Sequence, residues 1–221
     1  MNMLADPVFA ALLARLHAAS LGQDEAMGSF FSARVAAGED LSPDKGEVKT
    51  FLADKLVALE RDKALFCYQL CRALGARRVV EVGTSHGVST LYLAAAVRDN
   101  GGGLVIGTEN EPAKLEAARA NFAEAGLADL IELRAGDLRE TLATLPGPID
   151  FLLVDIWTPT ARPALELVAP HLRAGAAIVC DNVTTYRDYY SDYFDFIADP
   201  ANRLATMTLP FEGGLEFTIR L

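Results

Sequence analysis

From Arg77 onward, short β-branched runs alternate with amphipathic stretches of helical period, and this alternation restricts the fold more than any other feature of the sequence. Because the runs are apolar almost throughout, they are typical of strands that are buried on both faces. Strands that alternate with helices predict a parallel sheet covered by helices on both sides. The five runs are RRVVEV, LVIGTE, IELRAG, IDFLLVD and AAIVCD.

The last two apolar runs, RLATMTLP and GLEFTIRL, are separated by a Gly-Gly turn rather than by a helix. Two consecutive strands joined in this way predict an antiparallel hairpin at the edge of the sheet. We therefore expect an α/β fold over residues 76–221, with a doubly wound sheet of seven strands that is parallel except at its C-terminal hairpin.

Residues 1–75 are predicted to be helical. Apolar positions recur at helical spacing over residues 7–19 and 24–37, and Ser42 can cap a third helical region that Pro43 begins. Apolar faces on successive helices must be buried against something. We expect this segment to cover the mouth of a ligand site, to contribute to a homodimer, and to form one structural unit with the sheet.

The composition excludes several classes of protein. The chain has 221 residues, and its 30 acids outnumber its 20 bases, so it offers no broad positive surface for nucleic acid. Apolar residues make up 51% of the chain, but none of their runs approaches a membrane span, and the N-terminus lacks a basic leader. We expect a soluble cytoplasmic protein whose three thiols, Cys67, Cys71 and Cys180, are reduced and packed in the core.

The segment EVGTSHGVS, residues 81–89, follows the first strand, where doubly wound sheets bind their ligands. Gly83 and Gly87 allow a tight turn and a close approach of the backbone, and the next helix offers free N–H groups to an anion. The glycine spacing differs from that of the dinucleotide-binding pattern, and Glu81 lies two residues before the first glycine. A ligand that bears an ammonium and a carboxylate therefore fits better than a pyrophosphate.

Acidic residues also follow the next two strands. Glu109 ends the second strand, beside the first loop, where it could accept both hydroxyl protons of a ribose. Asp137 follows the third strand, at a position that could contact an adenine edge. Either acid alone is as easily explained as a helix N-cap. Their recurrence on successive strands favours a nucleoside site.

With these motifs the chain resembles the class I S-adenosylmethionine-dependent methyltransferases, and in particular the small O-methyltransferases of the catechol and caffeoyl-CoA type. The resemblance covers about residues 64–221 and includes IDFLLVDI, GAAIVCDNV and LPFEGGLEF. It implies a Rossmann-like methyltransferase sheet with S-adenosylmethionine as cofactor. The cofactor-binding residues that it implies are Glu81, Gly83, Ser85, Gly87, Ser89, Glu109, Asn110, Asp137 and Asp155.

Three oxygen-bearing side chains follow the fourth and fifth strands: Asp155, Asp181 and Asn182. Two carboxylates and an amide oxygen suit a hard divalent cation such as magnesium or calcium. Such an ion could lower the pKa of an acceptor hydroxyl and align it with the methyl group. The alternative is structural, with Asp155 as a helix cap and Asn182 in a turn.

One departure from the similar enzymes concerns the general base. Where they carry a lysine three residues after the aspartate of the fourth strand, this chain has Thr158, and no lysine follows Lys114. His86 in the first loop has a pKa range that suits a base, and it is our candidate for a catalytic role together with Asp155.

Aromatic residues follow the fifth strand. On a helix, Tyr186, Tyr189, Tyr190 and Tyr193 would share one face by their spacing. With Trp157, that face could line a pocket for a flat acceptor, or it could pack against the sheet or a partner subunit.

These features predict an O-methyltransferase that acts on a small hydroxylated acceptor, aromatic acceptors included, with help from a divalent metal. Three alternatives stay open: a metal-independent methyltransferase acting on oxygen or nitrogen, a cofactor-binding protein without turnover, and a nicotinamide oxidoreductase, against which the glycine spacing argues.

Overall fold

The computed structural model describes residues 2–39, 46–185 and 187–221, and these form a seven-stranded sheet in the order β3-β2-β1-β4-β5-β7-β6. Within this sheet β7 is antiparallel to both of its neighbours, and the other pairings are parallel. The doubly wound sheet and its terminal hairpin are confirmed. The strands are β1 Arg78–Val82, β2 Leu104–Glu109, β3 Ile131–Ala135, β4 Ile149–Val154, β5 Leu172–Asp181, β6 Leu204–Leu209 and β7 Leu215–Arg220.

Nine α-helices are found in the described ranges, several of them bounded by local signals that the sequence carries. Asp6 caps α1, where its side chain accepts from the backbone N–H of Val8 and of Phe9, and Pro7 begins the helix. The helices are α1 Pro7–Leu21, α2 Asp24–Ala37, α3 Gly46–Leu52, α4 Arg61–Ala73, α5 Val88–Asp99, α6 Pro112–Glu124, α7 Leu138–Thr141, α8 Thr158–Val168 and α9 Ser191–Ala198.

The core consists of two layers, one on each face of the sheet. Successive strand residues alternate between them: Phe151 of β4 packs with α1, α4 and α5, and Leu152 packs with α8 and α9. Burial on both faces explains why the central strands β1, β2, β4 and β5 are apolar runs. The three cysteines are free and buried, Cys67 and Cys71 in the first layer and Cys180 in the second, as expected.

The N-terminal helices contribute to the first of these layers. Phe9, Leu12, Leu13 and Leu16 of α1 are buried in the same cluster as the apolar residues of α5. The predicted start of the third helical region at Ser42 and Pro43 lies outside the described residues, and the division of the chain at residue 75 stays a prediction. No helix in the described ranges combines the length and apolarity needed to cross a membrane.

Several predicted boundaries were wrong. The amphipathic pattern of the sequence predicts helices over residues 138–145 and 162–172. In the structure α7 ends at Thr141 and α8 begins at Thr158, since Pro159 is accommodated in its first turn. A short 3₁₀ segment then follows α8, and β5 begins at Leu172 rather than Ala176.

The tyrosine-rich segment also differs from the prediction. A 3₁₀ turn covers Arg187–Tyr190 before α9 begins, so the helical spacing that would align the tyrosines is broken. Tyr190 and Tyr193 are buried in the second core layer, whereas Tyr189 is 73% exposed. Tyr186 lies outside the described residues. The predicted common face is therefore wrong.

Candidate active site

A cavity of about 320 Å³ lies at the carboxyl ends of strands β1 to β5. This volume is within the range of small-molecule sites. The N-terminal segment forms part of its wall through Lys49, Leu52, Ala53 and Val57. The strand ends contribute the predicted site residues Gly83, Ser85, Glu109, Asn110, Asp137, Asp155, Asp181 and Asn182, together with Thr108, Trp157, Thr158 and Tyr190.

The first loop depends on its two glycines. Gly83 has φ +97°, and a β-carbon there would collide with the carbonyl oxygen of Asp155. Gly87 has φ +82° at the N-terminus of α5, and a β-carbon there would collide with the ring of Phe122. Both positions therefore require glycine, which lets β1 turn sharply beside β4.

Glu81 lies beneath this loop rather than on the cavity surface. Its Oε2 accepts hydrogen bonds from the hydroxyls of Thr84, at 2.9 Å, and Thr90, while its buried Oε1 has no partner among the described residues. Burial raises the pKa of this carboxyl, and the hydroxyls of Ser89, Thr90 and Thr84 act in the opposite direction. Glu81 and the buried Ser89 thus support the loop from below.

Glu109 connects the first loop to the end of β2. Its Oε2 accepts from the backbone N–H of Ser85 at 2.8 Å, and its Oε1 accepts from the N–H groups of Asn110 at 2.7 Å and Glu111 at 2.9 Å. Ser85 itself has φ +49°, a left-handed conformation that this bond helps to hold. Because a carboxylate oxygen can accept more than one hydrogen bond, Glu109 keeps capacity for a ligand in the cavity.

Asp137 follows β3 and caps α7. Its Oδ1 accepts from the backbone N–H of Arg139 at 2.7 Å, and its Oδ2 lies 3.2 Å from the Arg139 guanidinium. The side chain is exposed on the cavity rim, where its second oxygen can reach a ligand. Asp137 is therefore both a helix cap and a candidate ligand contact.

The other end of the cavity contains a buried cluster of charges that includes one residue the sequence reasoning missed. The Nζ of Lys63, from α4, lies 2.6 Å from Oδ1 of Asp181 and 2.8 Å from Oε2 of Glu60. The side chains of Lys63 and Asp181 are 1% and 3% exposed. Asp155 is close enough to Asp181 and Glu81 for their charges to interact.

These neighbours shift the ionisation of the whole cluster. Burial raises the pKa of Asp181 to about 6, although Lys63 acts against the increase. Burial, Asp181 and Glu81 together raise the pKa of Asp155 well above its ordinary value. Burial alone would lower the pKa of Lys63, but the hydrogen bonds to Asp181 and Glu60 outweigh it and raise the pKa.

The three expected metal ligands meet at this end of the cavity, but their arrangement does not fit a divalent ion. Oδ1 of Asp181 faces the Lys63 ammonium, and Oδ2 accepts from the side-chain amide of Asn182 at 2.9 Å. Among the described residues no group of three or more His, Cys, Asp or Glu side chains has the geometry of a metal site. Hard cations need a convergence of free oxygen ligands, which this arrangement lacks.

The position of Lys63 on its helix is a sequence feature that could have indicated a functional lysine. The buried positions of α4 are Lys63, Ala64, Cys67, Tyr68 and Cys71, so the lysine lies on the apolar face of its helix. A lysine at such a position is rarely buried without a partner. The sequence prediction sought a base after the fourth strand, whereas Lys63 lies on α4, before the sheet begins.

The side chain of His86 is half-buried within the first loop. Its backbone carbonyl accepts from the side-chain amide of Asn121 at 2.9 Å, and its ring Nδ1 is 3.5 Å from the hydroxyl of Ser85. Burial and the nearby Lys114 lower the pKa of the imidazole. The lining of the cavity, taken over the described ranges, includes Asp155 and Thr158 but not His86.

Two aromatic residues reach the cavity. Trp157 is 42% exposed at the start of α8, and Tyr190 is buried, with its hydroxyl donating to the backbone carbonyl of Asp181 at 3.1 Å. Trp157 therefore offers a ring to a flat ligand, whereas Tyr190 fixes the end of β5.

Comparison with known proteins finds methyltransferases among the similar sequences. A family described as a methyltransferase domain matches residues 80–183. The catechol O-methyltransferase of Mycobacterium tuberculosis is 36% identical over 128 residues, which cover 58% of this chain and 57% of that protein. The match thus spans little more than half the length of this relative.

Solved structures extend the comparison to the fold. The cofactor-bound structure of Rv0187 from MTB has a TM-score of 0.70 and 26% identity, covering 87% of this chain and 95% of that one. An O-methyltransferase from Bacillus cereus in complex with SAH has a TM-score of 0.67 and 24% identity, covering 79% and 88%. This second similarity is evidence for the fold alone.

Proposed function

We propose that this chain is a class I S-adenosylmethionine-dependent methyltransferase that transfers a methyl group from that cofactor to a hydroxyl oxygen of a small acceptor. The observation that carries the proposal is the cavity itself. One end has the glycine turn, Glu109 and Asp137, which suit a nucleoside, and the other end has Asp155 and the aromatic ring of Trp157.

The residues of the first three strand ends suit S-adenosylmethionine. Glu109 has spare acceptor capacity for ribose hydroxyls, and Asp137 is positioned for the base. The buried Glu81 acts indirectly, because it supports the glycine turn from below. When bound, the cofactor supplies an electrophilic methyl group on a sulfonium. The chain supplies orientation and the exclusion of water.

Asp155 is our candidate for holding the acceptor hydroxyl and receiving its proton, because its side chain lines the cavity. His86, the other candidate from the sequence, is not among the described residues that line the cavity and would have to act at a distance. Trp157 favours a flat acceptor, since aromatic rings stack well on one another. A small phenol therefore fits better than an aliphatic alcohol.

The proposal is tested by methyl transfer from isotopically labelled S-adenosylmethionine to a panel of phenols, aliphatic alcohols and amines. We expect label on phenols. Label on amines alone would support the nitrogen-acceptor alternative. Tight cofactor binding in calorimetry with no label on any acceptor would support a binding protein without turnover.

We also propose a cytoplasmic homodimer, as the sequence predicts. α2, which the structure describes in full, contains no buried residue, and its Val35 is 64% exposed. Burial of this helix against a second copy would remove that apolar surface from water. Light scattering of the native chain and of Val35→Asp tests the dimer, and a monomeric native chain would contradict it.

A further inference from the structure

We propose that the ammonium of Lys63 is the permanent cation of the acceptor end, that it engages the Asp181 oxygen that a divalent metal would need, and that methyl transfer by this chain needs no metal. The part that concerns turnover rests on the proposed function. The part that concerns metal binding does not.

The first support is the burial and pairing of the lysine. Its Nζ contacts Oδ1 of Asp181 at 2.6 Å and Oε2 of Glu60 at 2.8 Å, and its side chain is almost wholly out of solvent. A charge removed from water in this way must be compensated by opposite charges nearby. Asp181 at the end of β5 and Glu60 at the start of α4 provide that compensation, so the lysine and Asp181 depend on each other.

The second support is the direction of the oxygens that a metal would require. Oδ1 of Asp181 is occupied by the lysine, and Oδ2 accepts from Nδ2 of Asn182 at 2.9 Å. The side-chain oxygen of Asn182 points toward Gly213, where an added β-carbon would collide with it. Of the three expected ligands only Asp155 has oxygens not already engaged in this way.

The third support is electrostatic. Entry of a divalent ion beside Asp181 would bring two positive charges against an ammonium in a site of low dielectric, where like charges repel strongly. The ion would also have to break the pair between Lys63 and Asp181. One monovalent cation is already held between Asp181 and Glu60.

These observations define the role of the lysine. Its Nζ contacts Asp181, and the cavity lining among the described residues includes Asp181 but not the lysine. Lys63 is therefore a positioning residue: it fixes the carboxylate and supplies positive charge near the acceptor oxygen as that oxygen loses its proton. No covalent step involves it.

The direct test uses the native chain after treatment with a chelator. Binding of Mn²⁺ is followed by the paramagnetic resonance signal of the free ion, with and without S-adenosylmethionine. We expect no stoichiometric binding, and turnover that changes by less than about twofold when chelator or Mg²⁺ is added. One bound Mn²⁺ that is lost in Asp181→Asn, or a loss of turnover in chelator that Mg²⁺ reverses, would overturn the proposal.

A second test removes the lysine. In Lys63→Met we expect kcat to fall at least about tenfold while cofactor affinity changes less than about threefold, because the charge acts at the acceptor end. Mn²⁺ binding should appear, since the site has lost its cation. Native turnover in Lys63→Met would overturn the proposal.

The control is Lys55→Met, which also removes one positive charge from the N-terminal segment but from a lysine that pairs with the exposed Asp54. It should match the native chain in turnover and in Mn²⁺ binding. If Lys63→Met fails to fold, the measurements on the native chain still decide. If no acceptor is methylated, the proposed function fails while the Mn²⁺ measurement retains its meaning.

Discussion

The backbone of Gly83 lies so close to the carbonyl oxygen of Asp155 that a β-carbon could not be placed between them. Asp155 N–H in turn donates to the carbonyl of Val82 at 3.0 Å, so β1 and β4 stay paired up to the point where the two loops diverge. The turn that contacts the cofactor region and the carboxylate at the acceptor end are thereby held in one rigid unit.

We expect Gly83→Ala to lower the free energy of unfolding by at least about 2 kcal/mol and to weaken S-adenosylmethionine binding at least about tenfold, because the substitution combines a left-handed φ with steric overlap. Chemical denaturation and calorimetry measure the two effects. Gly101→Ala is the control: Gly101 also has positive φ, but its β-carbon would meet open space. It should lose a little stability and keep native affinity.

We expect Glu109→Ala to weaken S-adenosylmethionine binding by about 2 to 4 kcal/mol, or roughly thirtyfold or more, since two charge-assisted hydrogen bonds are lost. Calorimetry measures the dissociation constant. Glu116→Ala, on the exposed side of α6, removes the same charge and should leave it unchanged. An unchanged constant in Glu109→Ala would mean that the ribose lies elsewhere.

Trp157→Ala should raise the KM for a phenolic acceptor roughly five- to thirtyfold and leave cofactor affinity unchanged, because loss of an aromatic partner costs about 1 to 2 kcal/mol. Steady-state kinetics with the acceptor varied provide the measurement. Tyr189→Ala removes an exposed ring outside the cavity and should behave like the native chain. An equal effect of both substitutions would argue against stacking on Trp157.

Asp150 lies at the opposite end of the sheet, where it accepts from the N–H groups of Arg77 and Arg78, each at 2.8 Å, and from Arg173 Nε at 2.6 Å. Although burial acts to raise the pKa of its carboxyl, the hydrogen bonds from Arg173 and these amides outweigh it and lower the pKa. The folded state therefore favours the ionised form, and its stabilisation is present near neutral pH and lost as the pH falls through that lowered pKa.

Asp150→Asn should consequently cost about 1 to 3 kcal/mol of unfolding free energy at pH 7 and progressively less below about pH 4. Urea denaturation of both proteins across this range measures the difference. Asp129→Asn, on an exposed site before β3, should show no such dependence. A cost for Asp150→Asn that is the same at pH 7 and in acid would contradict the assignment.

The fold was predictable because its causes are local. Burial on both faces makes β1, β2, β4 and β5 apolar runs, and Gly213-Gly214 provides the turn between the last two strands. The meeting of Asp155 and Asp181 also followed from strand order. The pairing of Lys63 with Asp181 did not, since it joins residues far apart in the sequence and depends on how α4 docks.

Local competition explains the other differences. Pro159 moved the start of α8 because proline suits a first turn, and a 3₁₀ turn replaced the regular helix that would have aligned the tyrosines. Hydrophobic periodicity predicts neither the start of α8 nor the 3₁₀ turn, because it reports which residues are buried rather than how tightly the backbone turns.

Strand β7 lies between β5 and β6 although it follows both in the chain, and its Leu215 is in register with Asp181. One edge of β5 thus stays unpaired until β7, which follows α9 and β6 in the chain, pairs with it. Contacts between segments so distant in the sequence form slowly. During refolding, the amide hydrogens along the β5–β7 pairing should become protected from exchange after those between β1 and β4. The acceptor end of the cavity, which contains Asp181, would then be the last part of the molecule to fold.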